Sequence, residues 1–168
     1  MKKFIAATAI SFIFAGCLGY HIGPVKPSAL RDVRVIAVPV FENKTLLPRV
    51  EVLITDTVIK QLQQDGTYKV AEKDNADAVL KAQITEIGRS PARSVRGNVL
   101  ATTEFNLTMH IKYKLEKPNG TVLMPNGEVI GTTSFFVGTD VTTDERQAVP
   151  LAAEELANHL VTQLSEGW

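Results

Sequence analysis

The sequence predicts an α+β domain: a two-layer sandwich in which a mostly antiparallel or mixed sheet of four to five strands carries two helices packed on one face. Three observations point there. Between residues 104 and 115 apolar Phe105, Leu107, Met109, Ile111, Tyr113 and Leu115 alternate with Glu104, Asn106, Thr108, His110, Lys112 and Lys114, the period of a strand with one buried face. Two other stretches, around Val50 to Leu62 and Ala153 to Leu164, repeat apolar residues at helical spacing instead. The order strand, helix, three or four strands, helix leaves both helices free to cover the same face of one sheet.

Composition agrees. The chain has 168 residues, 45% of them hydrophobic and 21% charged, with a formal net charge of zero. That balance excludes a disordered chain and a bundle of membrane helices, and it carries no signature of nucleic-acid binding.

The chain opens on Lys2 and Lys3, an apolar run from Phe4 to Phe14, and then Ala15-Gly16-Cys17. This is the three-part pattern of a secretory signal, too short to span a bilayer, which takes roughly 20 apolar residues. Cys17 is the only cysteine, so no internal disulfide can form. The stretch resembles the lipobox of bacterial lipoproteins, with Phe14 where an aliphatic residue is usual. The resemblance implies cleavage before Cys17, with a covalent diacylglycerol and an N-acyl chain on Cys17 and no other cofactor. Two or more acyl chains anchor a protein stably to a membrane surface. Leu18, where aspartate would imply retention at the inner membrane, implies the outer membrane and its periplasmic face.

The expected organisation is a signal peptide over 1–16, an acylated tether over 17–30 and a single domain over 31–168. Two glycines and two prolines between Gly19 and Ser28 keep the tether from forming a helix. Val33 to Val40 reads as a buried strand, and a helix follows Pro48, its stripe made of Val50, Leu53, Ile54, Thr57, Val58 and Leu62, with Gly66 as C-terminal cap. Thr67 to Ala71 is a short second strand. Asp74 to Asp77 is a polar turn, lacking the further oxygen ligands that calcium takes.

The third strand starts at Ala78, and its phase breaks at Glu86-Ile87-Gly88. The basic, Pro- and Gly-containing run from Arg89 to Gly97 predicts a loop. After the strand through Leu115, Pro118-Asn119-Gly120 predicts a hairpin turn, and Thr121 to Val137 an edge strand bulged near Pro125 and Gly127. The last helix is expected to be capped by Thr143 or Asp144, and to begin late or kink because of Pro150.

No catalytic constellation emerges, and no enzyme is predicted. His21, His110 and His159 have no paired spacing for zinc; no serine sits in a strand-turn-helix elbow, and no glycine-rich phosphate loop follows a strand. Charge is more informative. Residues 81–117 hold seven basic against three acidic side chains, whereas residues 128–168 hold Arg146 against seven acids. Arg89, Arg93, Arg96, Lys112 and Lys114 are therefore the candidate contacts for phosphate or carboxylate groups.

Cys17-Leu18-Gly19-Tyr20, Val35 to Thr45 with its Pro39-Val40-Phe41-Glu42-Asn43 core, the helix after Pro48, and Ala76 to Leu80 together resemble the lipopolysaccharide-assembly lipoproteins, LptE. The resemblance runs over nearly the whole chain after Cys17. It implies a lipoprotein that plugs and helps assemble the outer-membrane β-barrel LptD and assists lipopolysaccharide delivery to the outer leaflet. The partners implied are LptD, lipopolysaccharide and the membrane, with no nucleic acid. The alternative is a regulatory envelope lipoprotein that activates a peptidoglycan synthase, a role that calls for a longer tether than Leu18 to Ser28.

Overall fold

In the computed structural model, which describes residues 26–95, 98–138 and 140–167, the alternating stretch is the C-terminal part of one long strand. Taking the strands and α-helices in chain order, β1 is Val35–Ala37, β2 Glu42–Asn43, α1 Val50–Asp65, β3 Lys69–Val70, β4 Ala78–Val95, β5 Asn98–Glu116, β6 Val122–Phe136 and α2 Val141–Glu166. The sheet order is β3-β1-β4-β5-β6, with β2 also paired to β4. Pairing is parallel among β3, β1, β2 and β4, and antiparallel from β4 through β6. The sheet thus has six strands where four to five were expected, because the two-residue β2 carries no strand pattern of its own in the sequence.

Leu107, Met109, Ile111 and Leu115 are fully buried, and Tyr113 nearly so. The register sets Ile111 beside Ile84 of β4 and Val129 of β6, so the apolar sides of three strands form one layer. Against it lie Val50, Ile54, Val58 and Leu62 of α1 and Ala152, Ala153, Leu156, Leu160 and Leu164 of α2. The two helices also touch each other. Gly66 ends α1 in the left-handed conformation, at φ 75°, and donates its N–H to the Leu62 carbonyl. Thr55, outside the expected stripe, is buried because its hydroxyl accepts from the Phe41 N–H at 3.0 Å and donates to the Glu51 carbonyl at 2.6 Å.

Several expectations need correcting. β1 is three residues long, since the chain turns off the sheet at Pro39, which has no N–H to give a ladder, and leaves Val40 exposed. The run from Arg89 is strand through Val95, not loop. A bulge between Ile84 and Glu86 shifts the phase of β4 where the sequence breaks it, but β5 continues alongside and the pairing resumes. Pro91 is tolerated because it faces Phe105 at a position whose N–H would point away from β5, toward the side where no described strand lies past β2. The last helix is 26 residues long and runs through Pro150; its cap is Asp140, which accepts from the N–H groups of Thr142 and Thr143, rather than Thr143 or Asp144. β6 is the edge strand expected, and its pairing with β5 shifts register near Tyr113 and Leu115, opposite Met124 and Gly127.

At the other end of the sheet, Asp77 clips β1 to the start of β4, its Oδ2 accepting from the N–H groups of Arg34 and Val35 at 2.9 Å each. These bonds hold its carboxyl below the usual carboxylate range. Ser28–Leu30 forms a 3-10 turn and Leu30 enters the core. Lys26 donates to the Val33 carbonyl at 2.8 Å and lies 4.5 Å from the centre of the Tyr68 ring, whose hydroxyl donates to the Leu164 carbonyl at 2.6 Å.

One glycine fixes how closely α2 lies on the sheet. A Cβ at Gly131 of β6 would fall on the Ala152 carbonyl oxygen and beside Leu156, whereas one at Gly88 of β4 would meet only the end of the Glu86 side chain at 3.7 Å. Gly131→Ala should therefore destabilise the domain by about 3 kcal/mol, the cost of forcing backbone apart in a packed interface, while Gly88→Ala should leave it unchanged or slightly more stable. Thermal melts of the two variants check this pair.

Candidate functional site

The helices cover one face of the sheet and leave the other open, and the open face gathers cations. The polar positions of β5 point there, and the antiparallel register of β5 on β4 sets Lys114 opposite Lys81 and Lys112 opposite Gln83. β2 brings Glu42 alongside Gln83, which donates to it at 2.7 Å. The result is an open groove of about 330 Å³ lined by Glu42, Lys81, Gln83, Lys112, Lys114 and Asn126.

Its charges are tied together by two carboxylates. Glu116, only 7% exposed, pairs with both Lys81 and Lys114, the latter at 3.0 Å. Hydrogen bonds from Lys81 and then Lys114 hold its carboxyl below the usual range. Glu42 pairs with Lys44 and is held down by that bond and by Gln83. Lys112 has no ion pair among the described residues, although Glu128 stands opposite it across the β5–β6 ladder. Three lining ammonium groups, Lys81, Lys112 and Lys114, against Glu42 and Glu116 leave the groove cationic, with Lys112 the group best placed to meet an anion. Lysines act on phosphate or carboxylate as mobile point charges, without the fork geometry of arginine.

The structure divides the five candidate contacts. Lys112 and Lys114 come together, joined by Lys81, which the sequence singled out only in its charge balance. Arg89 lies away from them, on the helix side, with Nη1 2.6 Å from Glu145 of α2 and the guanidinium 5.5 Å from the centre of the Phe105 ring. Arg93 is exposed, 3.6 Å from Glu104. Arg96 and Cys17 lie outside the described residues. The C-terminal acids do not form one acidic surface either. Asp140 and Asp144 bond to backbone N–H groups, Glu145 pairs with Arg89, Glu155 meets the Thr132 N–H, and Glu128 lies 3.4 Å from His110.

Among the described residues no group of three or more His, Cys, Asp or Glu side chains is placed to hold a metal ion, and no helix is long and apolar enough to cross a membrane. The groove can hold an anion; it presents no nucleophile paired with a base.

A family model described as LptE, lipopolysaccharide-assembly, matches residues 33–164. No curated protein sequence matches the chain at a significant level. Among solved structures, the chain is similar to a PelC dodecamer subunit from Paraburkholderia phytofirmans, with 18% identity, 83% of this chain and 94% of that one covered, and a TM-score of 0.53. It is also similar to a minor lipoprotein from Acinetobacter baumannii, with 14% identity, coverage of 79% and 92%, and a TM-score of 0.53. A hypothetical protein from Chlamydia trachomatis, at 10% identity, covers 79% and 95% with a TM-score of 0.56. These likenesses establish a shared fold.

The depressed carboxyls Glu42, Asp77, Glu116 and Asp140 give stability a pH dependence of definite sign. Each binds its proton more weakly folded than unfolded, so its contribution is complete at neutral pH. It is lost as the pH falls below about 4 toward the lower folded values. The melting temperature should fall steadily through that acid range. Glu116→Gln should start lower at pH 7 and fall less steeply, which melts followed by circular dichroism between pH 7 and pH 3 would show.

Proposed function

The chain belongs to the LptE family of lipopolysaccharide-assembly proteins, and from that premise we propose that it is an outer-membrane lipoprotein that seats in the LptD barrel, helps assemble it and assists delivery of lipopolysaccharide to the outer leaflet. The observation that carries the reading is the extent of the family match, residues 33–164, nearly the whole folded domain. Cys17, at the end of the apolar leader, is the acylation site in this reading and holds the domain at the periplasmic face. The groove of Lys81, Lys112 and Lys114 supplies the cations for a phosphorylated glycolipid, exposed Arg93 adds charge farther along the sheet, and Arg96 stays a candidate contact by its sequence position. The protein does no covalent chemistry; it positions a lipid and a barrel.

Two measurements test this. In cells depleted of LptD, Cys17→Ala should remove the protein from the outer-membrane fraction on a density gradient, because acyl chains contribute about 0.8 kcal/mol per buried methylene and are the only lipid anchor in this reading. Lys112→Glu should weaken lipopolysaccharide binding roughly tenfold, the loss of one charge-assisted bond, with the melt unchanged. Normal lipopolysaccharide binding together with lost co-purification of LptD would make the groove a surface for the barrel. Normal binding and normal co-purification would remove the groove from the mechanism altogether.

A further inference from the structure

β6 is the outermost strand on its side of the sheet, fifteen residues long. The Val137 N–H bonds the Thr103 carbonyl at 3.0 Å, which turns the backbone of residues 129, 131, 133 and 135 toward β5 and that of Ile130 and Thr132 outward. Such an edge is a template for another strand. From Val129 to Phe136 it carries no charge and no proline, and it is rich in residues that favour strands. Among the described residues, three of the seven large exposed apolar side chains, Val122, Ile130 and Phe136, also lie on it. The other long strand with an open flank, β4, is blunted by Pro91 and carries Arg89 and Arg93.

From Val129 to Phe136 β6 has no such residues of its own; α2 reaches over that edge instead. Because Gly131 lets the helix lie close, Glu155 and His159, one turn apart on α2, meet the strand side by side. The Glu155 carboxylate accepts the Thr132 N–H, and His159 Nδ1 donates to the Ile130 carbonyl at 2.8 Å. One donor to the residue before Gly131 and one acceptor for the residue after it is the pattern that a single residue of an added parallel strand would make. The strand and the helix enclose a groove of about 470 Å³ beside this contact, lined in part by Glu128, Thr162 and Gln163.

We infer that Glu155 and His159 form an edge guard, which occupies the outward backbone groups of Ile130 and Thr132 within the uncharged run and so keeps that edge from pairing with β6 of a second copy of the chain. A second copy is the partner excluded because the uncharged run is compatible with itself: two such edges related by a twofold axis would pair antiparallel and cover each other's Ile130 and Phe136. The guard keeps the edge closed without placing a charge or a proline between Val129 and Phe136, and it is independent of the groove on the open face.

The test uses the full acylated chain in detergent micelles, with mass measured by light scattering over a range of concentrations. Wild type should be monomeric and Glu155→Ala/His159→Ala should self-associate. Adding Ile130→Lys, which places a charge on the edge strand, should restore the monomer. A double variant with a wild-type circular dichroism spectrum that stays monomeric, self-association that Ile130→Lys leaves intact, or a wild type that already associates would overturn the inference. Should the double variant not fold, amide exchange of the wild type decides. The Thr132 N–H should exchange roughly tenfold more slowly than the Ser134 N–H farther along the same edge, and equal rates would refute the guard.

Discussion

The apolar side of β5 is the constraint to which the rest of the chain answers. One residue in two from Leu107 to Leu115 presents a buried side chain on the same side, and β4 and β6 widen that stripe into a layer that water must not reach. A layer that wide needs more than one helix to cover it, and the two helices must lie side by side upon it. From this follow the contact of α1 with α2, the glycine at the closest approach of α2 to β6, and the exposure of the opposite face. That face is free to carry function because stability asks nothing apolar of it.

How much of this could be read beforehand depended on whether local pattern and tertiary context agreed. In β5 they agree, and its two faces were legible residue by residue. The Gly66 cap was legible because a left-handed terminal position selects glycine. Arg89 to Val95 was not legible as strand. Gly88 and Pro91 carry the local signature of a loop, and only the continuing partner strand, together with a Pro91 position that needs no N–H toward β5, makes them compatible with the sheet. The start of α2 was obscured in a similar way. Its first turns are polar and precede Pro150, so the apolar period that announces a helix begins well after the helix itself.

The cationic site was half legible for a reason that lies in the bulge. Alternation put Lys112 and Lys114 on the polar face of β5, and the structure keeps them there. Lys81 joins them through the register of the β4–β5 pair, which no local pattern states. Arg89 parts from them because the extra residue between Ile84 and Glu86 exchanges the two faces of β4 beyond it. Before the bulge Lys81 and Gln83 point to the open side; after it, Ile87 and Arg89 lie on the side of Met109 and Leu107, and Arg89 meets Glu145 on α2. A count of basic residues along the sequence cannot see that exchange, so it joined Arg89 to lysines that the fold keeps on the opposite face.

The position of the groove along the sheet follows from the same register. Lys81 lies three residues past Ala78, which pairs with Ile36 of β1, and β1 is entered directly from the segment where Lys26 and Leu30 pack against the domain. The groove is therefore near the end of the sheet at which the chain comes in from its N-terminal segment. β4 then runs on from Lys81 to Val95, which at about 3.3 Å per residue carries it some 45 Å farther along. With Cys17 acylated and a short stretch between it and Lys26, the lysines would stand close to lipid headgroups and the end of the β4–β5 pair would stand far from them. In that arrangement the cations would mark a lipid-facing end, and the strand pair an end reaching away from it. Because the helix face is filled by its own core, both ends would be served by the one sheet face that the fold leaves open.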